Sequence, residues 1–366
     1  MSTSLMNHRT DRGTDAAPLG SEARSLLYGI LYGEVFSQAL TEAEILSYRL
    51  ASVGASANPT SDEPRLQDLV GTYVEQADGL FFPAGRDDLP AIRARRRATA
   101  PVRWRIAERY ASWLRHLPFV RMVAVCGSLA VENTEADGDV DLFLVAEDGR
   151  LWIVHAVAMV ARRLAGRPGV KVCPNLLLSR SDLAVPEPNL YRAREVIQVV
   201  PLWGEAVYDE FLAANAWVHQ LLPDADLEGR RRRLRPGAGS RLQALLEKAL
   251  PGPVAGLLDR TIHRILVAYF QLRWRRHDPS GRAVKQAYSR HRQLSVGGGY
   301  GDTIRRRFVE LVRRRLGDGP EIERDLDRFF PAAHAAAVTE PAGVAKLFDE
   351  ILTEDYGDPT VEVSGS

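Results

Sequence analysis

Two short apolar runs, residues 122–126 and 142–145, lie close together in the chain, and their length and composition predict two strands. Gly127-Ser128 closes the first run. After a connector of ten residues, Asp139 and Asp141 flank Val140 at the start of the second. Residues 151–164 (LWIVHAVAMVARRL) are apolar at nearly every position, and a run this short between Arg and Gly predicts a buried helix rather than a membrane span. Residues 170–178 (VKVCPNLLL) predict a third strand. The order strand, strand, helix, strand makes a small α/β sheet with a crossover.

Upstream, the apolar period changes to that of helices. Leu26, Leu27, Ile30, Leu31 and Val35 mark a first helix. Thr41 and Glu44 have the spacing of a capping box, and Leu40 and Ile45 that of a hydrophobic staple, so a second helix starts there. A Ser/Pro/Asn loop at 56–64, a third helix at 65–76 and a short hairpin at 77–82 follow. Helices ending in a small wing resemble a winged-helix module. The would-be recognition helix carries Arg65 as its one cation, which favours a packing adaptor over a DNA reader. Residues 89–117 predict a long connecting helix, with Trp104, Tyr110 and Trp113 among its apolar positions and Pro118 at its end. Beyond Ser181 helical spacing dominates, at 191–200, 205–222, 241–250, 256–276, 302–316, 321–330 and 344–352.

Length and composition refine this picture. A chain of 366 residues exceeds a comfortable single core. The expected organisation is a disordered tail at 1–21, a winged-helix-like region at 22–100, a sheet-containing core at 101–203, a helical domain at 204–357 and a frayed tail at 358–366. Net charge is only +1, which argues against a protein that works by blanketing nucleic acid. The arginine runs at 93–97, 230–235 and 305–315 read first as solvated helix faces, so nucleic acid is not the favoured partner. The two cysteines, Cys126 and Cys173, lie in apolar runs and suit buried thiols in a reducing compartment better than a disulfide or a zinc site. With no membrane-length apolar run and no apolar leader in the polar first twenty residues, the expectation is a cytoplasmic protein with no membrane partner.

The chemistry concentrates at 127–141. Residues i and i+2 of a strand point to one side, so Asp139 and Asp141 stand side by side. Adjacent carboxylates repel unless a cation lies between them, and hard oxygen ligands suit Mg²⁺. Small residues at Gly127-Ser128 let backbone N–H groups approach a phosphate.

A strand ending in Gly127-Ser128, a gap of ten, then Asp139-Val140-Asp141-Leu142 resembles the signature of the polymerase beta superfamily of nucleotidyltransferases. The stretches LTEAEI, FFPAGR, PFVRMVAVCGSLA, GRLW, CPNLLLS and YRAREVIQVVPLWG are similar to those of a group of bacterial nucleotidyltransferase-domain proteins, over about residues 25–220. The resemblance implies an α+β chain, with a small mixed-sheet nucleotidyltransferase core, an N-terminal winged-helix-like region and a C-terminal helical domain. It implies transfer of an NMP group, AMP from ATP, to a small-molecule or macromolecular hydroxyl with release of pyrophosphate. Asp139 and Asp141 would bind Mg²⁺, and Gly127 and Ser128 would bind the phosphates of the nucleoside triphosphate. The family adds a third carboxylate on a later strand, where this chain has Asn175, an acceptor that cannot serve as a base. Asp182 or Glu195 reaching the site, an acceptor that needs no protein base, and a nucleotide- or DNA-binding protein without turnover are the three alternatives.

Other features carry less. Residues 297–301 are glycine-rich without the Lys-Ser/Thr of a P-loop, and suit a helix connector. Lys285, His291 and Arg292 have the charge to reach a phosphate or to face solvent. His155, inside an apolar helix, reads as a core histidine. The chain shows neither zinc-ligand spacing nor a Gly-x-Ser-x-Gly elbow.

Overall fold

The computed structural model describes residues 19–51, 66–165, 170–237, 239–273, 275, 280, 282–293 and 299–331. The readings at 1–18, at 56–64, at 344–352, at 358–366 and at 297–298 lie outside the described residues, whereas 299–301 of the expected glycine-rich connector are helical.

The chain is of mixed α+β class. Its first part contains α1 (Ser21–Val35), β1 (Leu40–Thr41), α2 (Glu42–Ser47), β2 (Val74–Ala77) and β3 (Leu80–Pro83). The capping box is present: Thr41 Oγ1 accepts from Glu44 N at 3.3 Å and Glu44 Oε2 accepts from Thr41 N at 2.9 Å. The strands form a small antiparallel sheet in the order β1-β3-β2. The helix expected at 65–76 is instead a 3-10 turn, Leu66–Leu69, followed by β2. Gly71 breaks it, with φ +86 in the left-handed region, and from Val74 onward the residues pair with β3. The recognition helix of a winged-helix module is therefore missing from this place.

The long helix α3 (Leu89–Leu114) leads into β4 (Val120–Val125), the single turn α4 (Gly127–Ala130), β5 (Val140–Ala146), α5 (Leu151–Ala165), β6 (Val172–Ser179), α6 (Leu190–Gln198) and β7 (Val200–Trp203). Then come α7 (Glu205–Ala214), α8 (Arg241–Ala249), α9 (Gly252–Arg273), α10 (Arg282–Ala287), β8 (Arg292–Gln293), α11 (Gly299–Leu316) and α12 (Pro320–Phe329). The larger sheet runs β7-β4-β5-β6-β8. β5 and β6 are parallel, joined across α5, and the other pairs are antiparallel. The strand β7 departs from the all-helical reading beyond Ser181. Its four residues are all buried against β4, so its pattern is a short apolar run with no period of its own. The helix expected at 205–222 also breaks, at Asn215, whose buried side chain donates to the carbonyls of Leu183 and Phe211.

Why the central strands read as continuous apolar runs is plain from their two faces. Met122, Ala124, Phe143 and Val145 pack with α1, α6, α7, α11 and α12. Val123, Val125, Leu142 and Leu144 pack with α3 and α5, and with Ala255 of α9. A strand covered on both sides has no polar alternate. The first of these cores joins the first and last described helices: Tyr28 of α1 meets Phe308 of α11 and Phe329 of α12 edge-on, and Asp325 of α12 accepts hydrogen bonds from Arg24 and Tyr28. Among the described residues no helix is long and apolar enough to cross a membrane.

Candidate functional site

Asp139 and Asp141 flank the fully buried Val140 at the entry to β5, and both are half-buried. Because Val140 and Leu142 face the α3/α5 core, Asp141 shares the opposite face with Phe143 and Val145, beneath α6. On the neighbouring strand the chain leaves β4 through Cys126, whose N–H donates to the Asp141 carbonyl at 3.0 Å. It then turns at Gly127, with φ +67. A Cβ at Gly127 would lie 2.6 Å from Asp141 Oδ2, so the carboxylate rests directly against the glycine. Gly127 and Ser128 are both exposed, at the mouth of this arrangement. The sequence pattern thus brings Gly127, Ser128 and the two aspartates together as neighbours.

On the far side of β5, Asp141 pairs in register with Cys173 of β6. One step later the register slips: Pro174 stands opposite Leu142 and Leu176 opposite Phe143, which leaves Asn175 as the extra residue of a bulge. The slip exchanges the faces, so that Leu176 and Leu178 continue the side on which Cys173 began. Asn175 hydrogen-bonds the Cys126 thiol. Burial, then the charges of Asp141 and Glu195, push that thiol well above the usual range. The two cysteines are in no disulfide with each other and sit two strands apart, about 9–10 Å between backbones, too far for one.

Of the two later acids considered from sequence, Glu195 belongs to this neighbourhood and Asp182 does not. Asp182 is held by Arg292 through contacts of 2.5 and 2.8 Å, which also removes Arg292 as a free phosphate ligand. Glu195, on α6, accepts from Tyr191 OH at 2.7 Å and from Arg192 Nη1 at 2.6 Å. The Tyr191 phenol is held protonated, its pKa raised by burial and by the charge of Glu195, so it acts as the donor. Tyr300, at the start of α11, meets Tyr191 edge-on at 5.9 Å and closes this side. Tyr191 and Arg192 were not singled out from sequence, although their spacing of four and three residues from Glu195 is the signature of neighbours on a helix.

No protein-family model, curated protein or solved structure matches the chain. Function therefore has to be argued from the electrostatics of the site itself. Burial, Asp139 and Glu195, in that order, push the Asp141 carboxyl up to about 7. Three acids acting on one another, with hard oxygen donors on the two aspartates, are the kind of donor set Mg²⁺ neutralises. The fit is to a two-carboxylate site: among the described residues no three His, Cys, Asp or Glu side chains are gathered closely enough to hold a metal ion. Glu195 is within electrostatic reach of Asp141 but tied to its own helix.

The arginine runs are largely occupied elsewhere. Arg93 pairs with Glu44, Arg96 with Glu135, Arg231 with Asp209, Arg233 with Glu108, and Arg313 with Glu323. His155 is a buried core residue packed on Trp152.

Proposed function

We propose that this chain is a Mg²⁺-dependent nucleotidyltransferase that moves an NMP group, AMP from ATP, to a hydroxyl acceptor with release of pyrophosphate. The observation that carries the reading is the meeting of Asp139, Asp141 and Gly127: two carboxylates at a strand entry, one of them lying on a left-handed glycine at the end of the adjacent strand. Asp139 and Asp141 would hold Mg²⁺, which supplies charge neutralisation of the triphosphate and polarises the phosphoryl group under attack. Gly127 offers backbone without a side chain in the way, and the exposed Ser128 adds a hydroxyl donor. Glu195 is the acid within range to accept the acceptor's proton, and Tyr191 and Arg192 fix its position. Asn175, bonded to the Cys126 thiol at the end of β4, would support the site.

The test is incubation with α-labelled ATP and Mg²⁺ across candidate acceptors, following both label transfer and pyrophosphate. Transfer that persists in the Asp139→Ala, Asp141→Ala double variant would sink the assignment. A second reading, nucleotide binding without turnover, is favoured by the engagement of Glu195 with Tyr191 and Arg192. It predicts Mg²⁺-dependent ATP binding with no pyrophosphate. Partners other than the nucleoside triphosphate remain those of the acceptor hydroxyl. A DNA-binding role is disfavoured by the ion pairing of the arginine runs, and steeply salt-dependent DNA affinity without pyrophosphate release would restore it.

A further inference from the structure

Helix α9 has two unlike sides. Ala255 and Asp259 are its buried residues, and this side packs on α5, where Asp259 Oδ1 accepts from the backbone N–H groups of Trp152 and Ile153 and His263 stacks on Trp152. The other side is apolar and uncovered. Val254, Leu258, Ile265 and Leu272 are between 40% and 70% exposed, and Thr261 and Ala268 are exposed between them. These six positions follow one another at intervals of four, three, four, three and four residues. At 100° per residue they keep within an arc of about 80°, whose centre lies about 140° from Asp259. Alternation of three and four is the heptad spacing of a helix that packs along a second helix, and here it runs from the first turn of α9 to the last. Leu257 and Tyr269, also exposed, flank this seam on its two sides. The one hydroxyl in it needs no outside partner, because Thr261 Oγ1 donates to the Leu257 carbonyl at 2.9 Å.

What covers the seam follows from the sizes of its side chains. Leu258, Ile265 and Leu272 hold one of the two heptad positions and Val254, Thr261 and Ala268 the other, so one row is large and the other small. Reversing a second helix against the first sets one row against the other. A two-fold axis level with His263 places Leu258 on the partner's Ala268, Ile265 on the partner's Thr261 and Leu272 on the partner's Val254. Every layer then joins a larger side chain to a smaller one, which is how facing side chains interdigitate without voids. His263 is also at the middle of α9, so the same axis overlaps two 22-residue helices over their whole length, about 33 Å. Each contact is repeated by symmetry, as an isologous interface requires. A parallel pair would set Leu on Leu and Ala on Ala, crowding some layers and leaving gaps in others. An unrelated helix would have to supply the order of sizes that α9 supplies to itself.

The area is sufficient. Six large apolar side chains on this face (Val254, Leu257, Leu258, Ile265, Tyr269 and Leu272), each with about 100 Å² in solvent, remove about 1,200 Å² from water when both copies are covered, the lower end of stable interfaces. Charge marks the axis. Arg264, exposed beside the seam, comes close to its own copy there, and the single carboxylate of α9, Asp259, is turned inward.

We propose that two copies of the chain associate through α9, antiparallel, about a two-fold axis level with His263.

Sedimentation equilibrium of the full-length chain tests the proposal. A dimer should form between about 1 and about 100 μM, and it should tighten as salt screens the Arg264 pair. Ile265→Asp puts a charge at the centre of the seam, at a position exposed in the single copy. It should weaken the dimer about tenfold or more while the circular dichroism spectrum and the melting of dilute protein stay as they are. Orientation is read by mixing the wild type with Arg264→Glu and weighing the dimers by native mass spectrometry. The mixed dimer brings opposite charges together across the axis and should be the main species, well above its statistical share. A monomer throughout the concentration range, a dimer indifferent to Ile265→Asp, or a statistical mixture each overturns the proposal. A monomer that binds phosphatidylglycerol vesicles, and loses them with Ile265→Asp, would assign the face to an anionic bilayer and overturn it equally.

Discussion

Replacing Gly127 by alanine asks the chain to do two costly things at once. The backbone there has φ +67, where an L-residue costs about 1–2 kcal/mol. The new methyl would also arrive 2.6 Å from Asp141 Oδ2 and 3.3 Å from its Cγ, so the carboxylate or the turn must move. Small-to-large changes in a packed position add about 1–3 kcal/mol, for a total loss of about 2–5 kcal/mol. Gly149 separates the two contributions, since it has the same φ of +67 but nothing within 4 Å of its would-be Cβ. Urea denaturation should therefore show Gly149→Ala losing about 1–2 kcal/mol and Gly127→Ala clearly more. In a double-mutant cycle, Asp141→Ala should remove most of that excess, a coupling of about 1–2 kcal/mol. Equal losses at the two glycines, or a coupling below about 0.5 kcal/mol, would refute the close approach of Asp141 to Gly127 on which the site is built.

Three further outcomes are expected. Burial holds the His155 imidazole down at about 4, so between there and the unfolded value of about 6.5 the unfolded chain binds more protons; stability should rise with pH across this window, and be lost as pH falls through it, by up to about 3 kcal/mol, and His155→Phe should flatten that slope in urea midpoints taken at pH 4.5 and 7. Asp325 is fully buried between Arg24 and Tyr28, and Asp325→Ala should cost about 3–5 kcal/mol and deprotect α12 and the facing turns of α1 in hydrogen exchange; a loss below about 1 kcal/mol would show that Glu321 alone can hold Arg24. In the proposed reaction, Glu195→Gln should lower kcat about 100-fold or more while leaving Mg²⁺-ATP affinity within a few-fold, and an equal loss of affinity would make Glu195 a binding residue instead of a base.

What could be read in advance follows from how local the deciding physics is. The second helix was legible because Thr41 and Glu44 satisfy each other's backbone within four residues, whatever packs on them. The β4–β5 pair and its carboxylates were legible for a similar reason: two apolar runs separated by small residues can be buried on both faces only as neighbouring central strands. Residues 65–76 misled because apolar spacing there suits a helix until Gly71, and only pairing with β3 decides for a strand. β7 was hidden by its length, since four residues carry no period and Val200–Trp203 owe their conformation to β4. The place of Asn175 was likewise not local, because a bulge is a relation between two strands and one strand's sequence does not contain it.

That bulge bears directly on where a third acid can stand. Opposite Asp141, β6 presents Cys173, and at the next step toward Phe143 the register slips through Pro174 and Asn175. The position after the slip, Leu176, returns to the face that Asp141 shares and packs against the core that holds Phe143 and α6, and its neighbour Leu177 lies fully buried on the α3/α5 side, so β6 cannot supply a carboxylate at either without placing a charge among apolar side chains. The open side is covered by α6, and it is α6 that brings Glu195 within reach of Asp141. A helix offers what the strand does not: Tyr191 and Arg192, one turn back, bond both carboxylate oxygens and hold Glu195 against repulsion from the aspartates. Held in this way, Glu195 is kept apart from the pair that would take Mg²⁺, and in the proposed reaction a base so separated stays free of the metal for the acceptor's proton.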